Sequence, residues 1–306
     1  MINVYVGDET SFLRAVILGT AKGVGDVPNM EDAYDPKSKE HIKAGTYPKE
    51  DDMIEEMEAF AEILEKYDVK VYRPEIIGNY NQIFSRDIGF VIEDKFIKPR
   101  ILKDRDEEIQ GIQYVIDQIA PENILDVPDD GRIEGGDVMP WKDHVFVGYS
   151  EQEDFGKYIV SRTNRAGLEF LQKQFPNKKV IGFQLKKSDE VAKDNALHLD
   201  CCFQPIGQNQ AIIYKDGFKL EEDYQYLVNY FGEENLIHIN RDEMYEMNSN
   251  VFSISPKVVV VEQKFDRLSK VLEERGFTVE KVPYAEISKM EGLLRCSTLP
   301  LIRDKN

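Results

Sequence analysis

A chain of 306 residues carries 57 acidic against 39 basic side chains, a formal charge of −18, and only three cysteines, two of them adjacent (Cys201, Cys202). The acidic surface excludes nucleic acid as a partner and favours a small cation, and the unpaired thiols predict a reducing, cytoplasmic compartment. No stretch reaches roughly 18 uncharged apolar residues and no basic-then-apolar leader opens the chain, so neither a membrane span nor a signal peptide is expected.

In chain order, the run RAVILG (14–19) predicts a strand. KEDDMIEEMEAFAEILEKYDV (49–69) places Met53, Met57, Phe60 and Leu64 at steps of three or four and predicts an amphipathic helix, followed by the strand VKVYRP. The same succession returns four times. The strand GFVIEDKFI (89–97) precedes a helix over 104–120 and the strand NILDVP; DHVFVGYS (143–150) precedes a helix over 162–175 and KKVIGFQL. NQAIIY (209–214) leads to a helix over 221–234 and NLIHIN; KVVVVEQ (257–263) leads to a helix over 265–276, stopped at Arg275-Gly276, and to FTVEKVP. Strand–helix–strand thus recurs five times at a spacing of roughly 50 residues, a period that marks an array.

Four polar clusters lie at the edges of these units. Arg86-Asp87 stands before the second unit's strand, where an ordinary charged strand entry accounts for it as well as a site does. Glu134 and Asp137 bracket Gly135-Gly136, a spacing that suits a tight turn, a bulge or a close approach of backbone to another group. In NALHLDCCFQPIG (195–207), read as a buried strand, His198 and Asp200 are two apart and share a face, an acid/base and orienting pair. Cys201 faces the other way as core filler, and Cys202 is expected to be inert. Near the end, Arg295 beside Cys296 favours a thiolate, and Ser297 and Thr298 are placed to donate hydrogen bonds to it. The four histidines are scattered, no CxxC occurs, and no phosphate loop follows the glycines, so no metal and no cofactor is expected. Asn248 and Asn250 sit where the last unit begins; Asn250 is taken as a pocket residue.

In order, FSRD (84–87), EGGD (134–137), HLD (198–200) and GLLRCS (292–297) resemble the guanidine-modifying enzyme superfamily of arginine deiminase, dimethylarginine dimethylaminohydrolase and the amidinotransferases. VFVGYS followed by SRTNRAG (161–167), and the approach ISKMEGLLRC, also resemble that family. The resemblance runs from about residue 79 to the end. It implies a single α/β domain over residues 1–306, a five-bladed propeller of ββαβ-type units around a central polar site, called the pentein fold. It also implies a role for each residue: Cys296 as nucleophile, His198 as general acid/base, Glu134 as the acid that assists proton movement, and Asp87 and Asp200 as carboxylates gripping the guanidinium. Asn81 and Phe84 match pocket-lining positions, and Arg295 the arginine beside the deiminase nucleophile. A substrate α-carboxylate would call for an arginine, with Arg100, Arg105, Arg241 and Arg295 as candidates. Asp200 favours unsubstituted guanidine nitrogens. The reaction implied is hydrolysis of an arginine-like guanidine to a ureido product such as citrulline. Amidino transfer to an amine, and a non-catalytic binding protein on the same fold, are the alternatives. Self-association as a homodimer is compatible with all three.

Overall fold

Four of the five expected leading strands become the middle of a three-stranded sheet, as suits β-branched residues that pack well on a pleated, buried surface. The one expected over 89–97 is instead a hairpin, with Phe90–Ile92 outermost, a turn at Glu93 (φ 52°) and Lys95–Lys98 in the middle. The structure, a computed structural model, describes residues 1–33 and 35–305. Its strands are β1 (Leu13–Leu18), β2 (Lys70–Tyr72), β3 (Phe90–Ile92), β4 (Lys95–Lys98), β5 (Ile124–Asp126), β6 (Val138–Trp141), β7 (His144–Tyr149) and β8 (Lys179–Gln184). After them come β9 (Phe203–Ile206), β10 (Gln210–Ile213), β11 (Leu236–His238), β12 (Phe252–Ser255), β13 (Val258–Glu262), β14 (Thr278–Val282) and β15 (Thr298–Arg303). They form five sheets: β15-β1-β2, β3-β4-β5, β6-β7-β8, β9-β10-β11 and β12-β13-β14. In every sheet the middle strand runs antiparallel to one neighbour and parallel to the other. The first sheet is made from both ends of the chain, with Ile17 opposite Leu299.

A parallel neighbour needs a crossover long enough to return the chain, normally a helix. Four units use one: Glu50–Lys66, Arg165–Gln174, Glu221–Phe231 and Asp266–Glu274. The second unit departs from the helix expected over 104–120. It forms a 3-10 stretch, Lys103–Ile112, and a single α-turn, Gln113–Ile116. In 3-10 geometry side chains three apart eclipse. Arg105 and Glu108 use this to form a two-pronged ion pair, with Nε–Oε1 at 2.8 Å and Nη2–Oε2 at 2.9 Å.

Two further expectations need correction. The strand expected over 195–207 starts only at Phe203, because Leu199–Cys201 is a 3-10 turn and the Leu199 N–H donates to Asp137 Oδ1 at 2.9 Å. His198 and Asp200 therefore do not share a strand face. A helix over Pro36–Ala44 was also not anticipated. It is fully signposted: Asp35 caps it by accepting from the Ser38 N–H, Pro36 opens it, and Gly45 closes it at φ 68°.

Helix Glu50–Lys66 turns Met53, Met57, Phe60 and Leu64 inward, as its spacing predicts, and all four are buried. The Phe60 ring meets Phe252 (5.9 Å) and Tyr284 (5.7 Å) edge-on and so ties the first unit to the last. Phe60→Ala is expected to lower the unfolding free energy by about 3–5 kcal/mol, measured by denaturant titration. Among the described residues no helix is long and apolar enough to cross a membrane.

Candidate active site

The residues at the edges of the units converge on one cavity of about 420 Å³. Asn81, Phe84, Asp87, His198 and Cys296 all line it. Five of the expected site residues thus share a wall although more than 200 residues of chain separate the first from the last.

Backbone contacts hold each of them in place. Asp87 follows Arg86, whose N–H donates to the Cys296 carbonyl (3.0 Å), so the two loops are stitched together. Asp87 Oδ2 accepts from Arg105 Nη1 at 2.9 Å, and Oδ1 lies 3.9 Å from His198 Nδ1. On its other side, His198 Nε2 lies 2.8 Å from Glu134 Oε2. Burial disfavours an imidazolium, but Asp87 and Glu134 outweigh it and raise His198 to about 9. Burial likewise opposes ionisation of Glu134. Arg162, 3.7 Å away, and His198 reverse that and hold the carboxyl at about 2. The site therefore holds a carboxylate–imidazolium pair at neutral pH.

The paired glycines of EGGD serve close approach. A Cβ on Gly135 would lie 2.1 Å from the Arg86 carbonyl oxygen, and one on Gly136 would lie 2.6 Å from His198 Nδ1. Only a bare backbone lets the Glu134 turn close onto the ring. Gly136→Ala is expected to displace His198 and cut kcat by at least about 10²-fold, comparable to loss of a general acid. The fold should persist, since neither glycine has positive φ. Steady-state kinetics with circular dichroism as control checks this.

The surroundings of Cys296 differ from expectation. Arg295 does not line the cavity and does not serve the sulfur. It is fully buried, with Nε and Nη2 on Glu9 (both 3.1 Å), Nη1 on Asp200 (2.9 Å) and Nη2 on the Val138 carbonyl (2.8 Å). Ser297 Oγ and Thr298 Oγ1 donate to backbone carbonyls of Leu293 and Arg295 instead of to the thiol. The group that does reach the sulfur is Asn250. Its Nδ2 lies 3.1 Å from Cys296 Sγ, and its Oδ1 accepts from the Cys296 N–H at 3.1 Å. Asp200 Oδ2 lies 3.5 Å from Sγ. Burial, with Asp200 and Asp87 adding to it, pushes the Cys296 thiol well above its ordinary range. Cys201 and Cys202 are buried in the core as expected.

Of the four arginines considered for a carboxylate, only Arg105 lines the cavity; Arg100 pairs with Asp129 and Arg241 with Asp194. The arginine that sequence reasoning passed over is Arg162, buried and also on the cavity wall. The signal for it was the SRTN motif, in which Asn164 caps the next helix by accepting from the Gly167 N–H. Asp87, Glu134 and His198 offer ligand atoms within 4.8 Å of one another, close enough to hold a metal ion.

A family model described as N,N dimethylarginine dimethylhydrolase, eukaryotic, matches residues 28–303. A curated relative, the uncharacterized protein YkgA of Bacillus subtilis, is 30% identical over 233 residues, covering 74% of this chain and 71% of that one. Arginine deiminase of Streptococcus sanguinis is 26% identical over 209 residues, 58% of this chain and 48% of that protein, so the chain matches about half the length of the deiminases. Among solved structures, the N-terminal domain of ArgZ, an arginine dihydrolase from Cyanobacteria, superposes with a TM-score of 0.78 at 16% identity, covering 94% of this chain and 97% of that one. SxtG, an amidinotransferase from Microseira wollei, superposes at 0.75 with 17% identity over 99% and 98%. The five mixed sheets are those of the pentein fold, and fold and sequence place the molecule in the guanidine-modifying superfamily. The chain belongs to the N,N-dimethylarginine dimethylhydrolase family.

Proposed function

We propose that the protein is a cysteine-dependent hydrolase of an arginine-like guanidine, with the whole reaction carried by this one domain. The observation that carries the reading is the meeting of Cys296, His198 and Asp87 on one cavity wall, with Glu134 bonded to His198 from behind. A guanidinium is planar and delocalised, and a carboxylate holds it best in the plane of its N–H bonds. Asp87 Oδ1 has no hydrogen-bond partner and is the acceptor for it. The bound cation offsets the carboxylates that hold Cys296 protonated, so substrate binding itself favours the thiolate.

The thiolate then attacks the guanidinium carbon, forming a C–S bond. His198 gives its proton to one nitrogen, and the C–N bond breaks, releasing ammonia or an amine and leaving a thiouronium on Cys296. His198, now neutral, removes a proton from water. The resulting hydroxide adds to the same carbon, the C–S bond breaks, and a ureido product such as citrulline departs. Splitting the reaction at a covalent intermediate gives two lower barriers in place of one. Glu134 keeps the imidazole charged for the first half. Asn250 positions the sulfur, and Arg295 anchors Asp200 and the loop before β15.

Arg162 and Arg105 are the two arginines on the cavity wall, which supports an amino-acid substrate whose carboxylate meets Arg162. Because Asp200 is bonded to Arg295, its preference for unsubstituted nitrogens carries less weight than the sequence implied. Product analysis on arginine, agmatine, N-methylated arginines, and arginine with glycine tests the reading. Ammonia or methylamine released without an acceptor is the expected outcome. Turnover only with glycine present would make the protein an amidinotransferase, and no product or Cys296 adduct from any guanidine would leave a binding protein.

A further inference from the structure

Helix Glu50–Lys66 carries Met53, Glu56 and Phe60 along one face, at steps of three and four. Met53 reaches the wall of the catalytic cavity, and Phe60 meets the Tyr284 ring. Glu56, between them, is a buried carboxyl that the mechanism does not use. Its Oε1 accepts from the Glu286 N–H and its Oε2 from the Ile287 N–H, both at 2.9 Å. Those N–H groups open the short helix Ala285–Ser288, whose own N-cap residue, Tyr284, makes no side-chain hydrogen bond to it. The first N–H groups of a helix lack partners within it. Here both are met by a carboxyl 230 residues back in the chain.

From that turn the chain leads to Cys296. Residues 285–297 are this one short helix and a succession of turns, so their path is set by contacts from outside and not by a strand ladder. They pass Met290 and Glu291, both on the catalytic cavity wall, and Glu291 bends the path with a left-handed backbone, φ 57°. Side chains from elsewhere pin the segment at its start, middle and end. Glu56 holds the start, Asn195 Nδ2 donates to Glu291 Oε1 at 2.7 Å, and Asn250 holds Cys296. The two asparagines are neutral amides, whereas Glu56 ionises.

We propose that Glu56 is a positioning residue for Cys296: as a carboxylate it clamps the turn from which the chain reaches the sulfur, and when protonated it releases that turn. The inference rests on Cys296 as the nucleophile. Charged groups face Glu56 from each neighbouring element. Glu286 stands on the clamped turn and is bonded to Lys289, and Glu262 closes β13. Tyr284 precedes the turn, with Arg73, itself paired with Glu58, beside it. Burial is the largest influence and raises the Glu56 carboxyl. The two N–H groups pull it back, and Glu286 and Glu262 push it up again, leaving it at about 7. An anion is the stronger hydrogen-bond acceptor, so the clamp is set above pH 7 and loosens below it.

Alkylation of Cys296 by 2-chloroacetamidine, followed by peptide mass between pH 6 and pH 8 in the full-length wild type and in Glu56→Gln, tests the proposal. Glutamine keeps the size but turns one acceptor into a donor that faces an N–H. At pH 8 the wild type should react about tenfold faster than the variant, and at pH 6 only about twofold, because a misplaced reacting group loses rate steeply and the wild-type carboxyl is by then protonated. The ratio cancels the ionisation of Cys296, His198 and Glu291, which both proteins share. Amide shifts of Glu286, Ile287 and Cys296 should move together in the wild type with a midpoint near 7 and lose that step in Glu56→Gln. Equal rates at pH 8, or a ratio that does not change with pH, would overturn the proposal, as would a step at Glu286 and Ile287 that leaves Cys296 unmoved. If Cys296 is labelled in neither protein, it fails as the nucleophile, and the amide shifts decide whether Glu56 positions its loop. Should Glu56→Gln fail to fold, Glu56→Asp, too short to reach both N–H groups, replaces it. Slower alkylation at pH 8 that converges on the wild type at pH 6 then upholds the proposal, and any other result sinks it.

Discussion

Cys296→Ala is expected to lower turnover by about 10⁴-fold or more, because among the described residues Cys296 is the one thiol on the cavity wall. Cys201 and Cys202 offer no substitute: both are buried, and neither lines the cavity. The variant should fold normally, since the deleted atom is one sulfur at a cavity surface. The informative measurement is therefore paired. Intact-protein mass after incubation with 2-chloroacetamidine should show one adduct on the wild type and none on Cys296→Ala. Loss of turnover with labelling retained would mean that another thiol reacts and that Cys296 only shapes the pocket.

Glu134→Gln is the second large effect, and it separates charge from shape. The substitution keeps a hydrogen-bond acceptor of the same size beside His198 but removes the negative charge. Only Asp87 and Asp137 are then left to oppose burial, and the imidazole pKa should fall from about 9. At neutral pH much of the general acid is lost, and kcat should drop by roughly 10²–10⁴-fold. A titration of the His198 ring by NMR in Cys296→Ala and in the Cys296→Ala/Glu134→Gln double variant reads the cause directly. An unchanged midpoint with unchanged rate would remove Glu134 from the proton path. The same linkage acts on stability. The folded pKa lies above the ordinary 6.5, so the stabilisation from His198 is complete below pH 6.5 and is lost as pH rises through about 9.

What the sequence disclosed follows physical lines. Four of the five middle strands were legible because runs such as Val258–Val261 are β-branched and buried; the fifth, β4, was read as one strand with its hairpin partner β3. Two antiparallel partners were not recognised, and each contains a proline: Pro140 in β6 and Pro300 in β15. Proline lacks the N–H a central strand needs, so it discourages a strand reading, and both sit in outer strands where that N–H is dispensable. In the site, Asp87, His198 and Cys296 were found as clusters at unit edges. Glu9 was not: nothing near it in sequence marks a carboxylate whose partner, Arg295, lies at the far end of the chain. Arg162 stood inside a quoted motif but had no neighbour to assign it a role. The thiol's environment was misread because adjacency in sequence says nothing about direction, and the Arg295 side chain points to Glu9 and Asp200.

The first sheet joins β1 to β15, and Cys296 stands just ahead of β15. A contact between strands so distant in the chain is among the slowest to form, because nearly the whole loop must be closed first. Cys296 cannot be set in place until residues 298–303 have paired with β1, so four sheets, with His198 and its carboxylates, can form before the sulfur joins them.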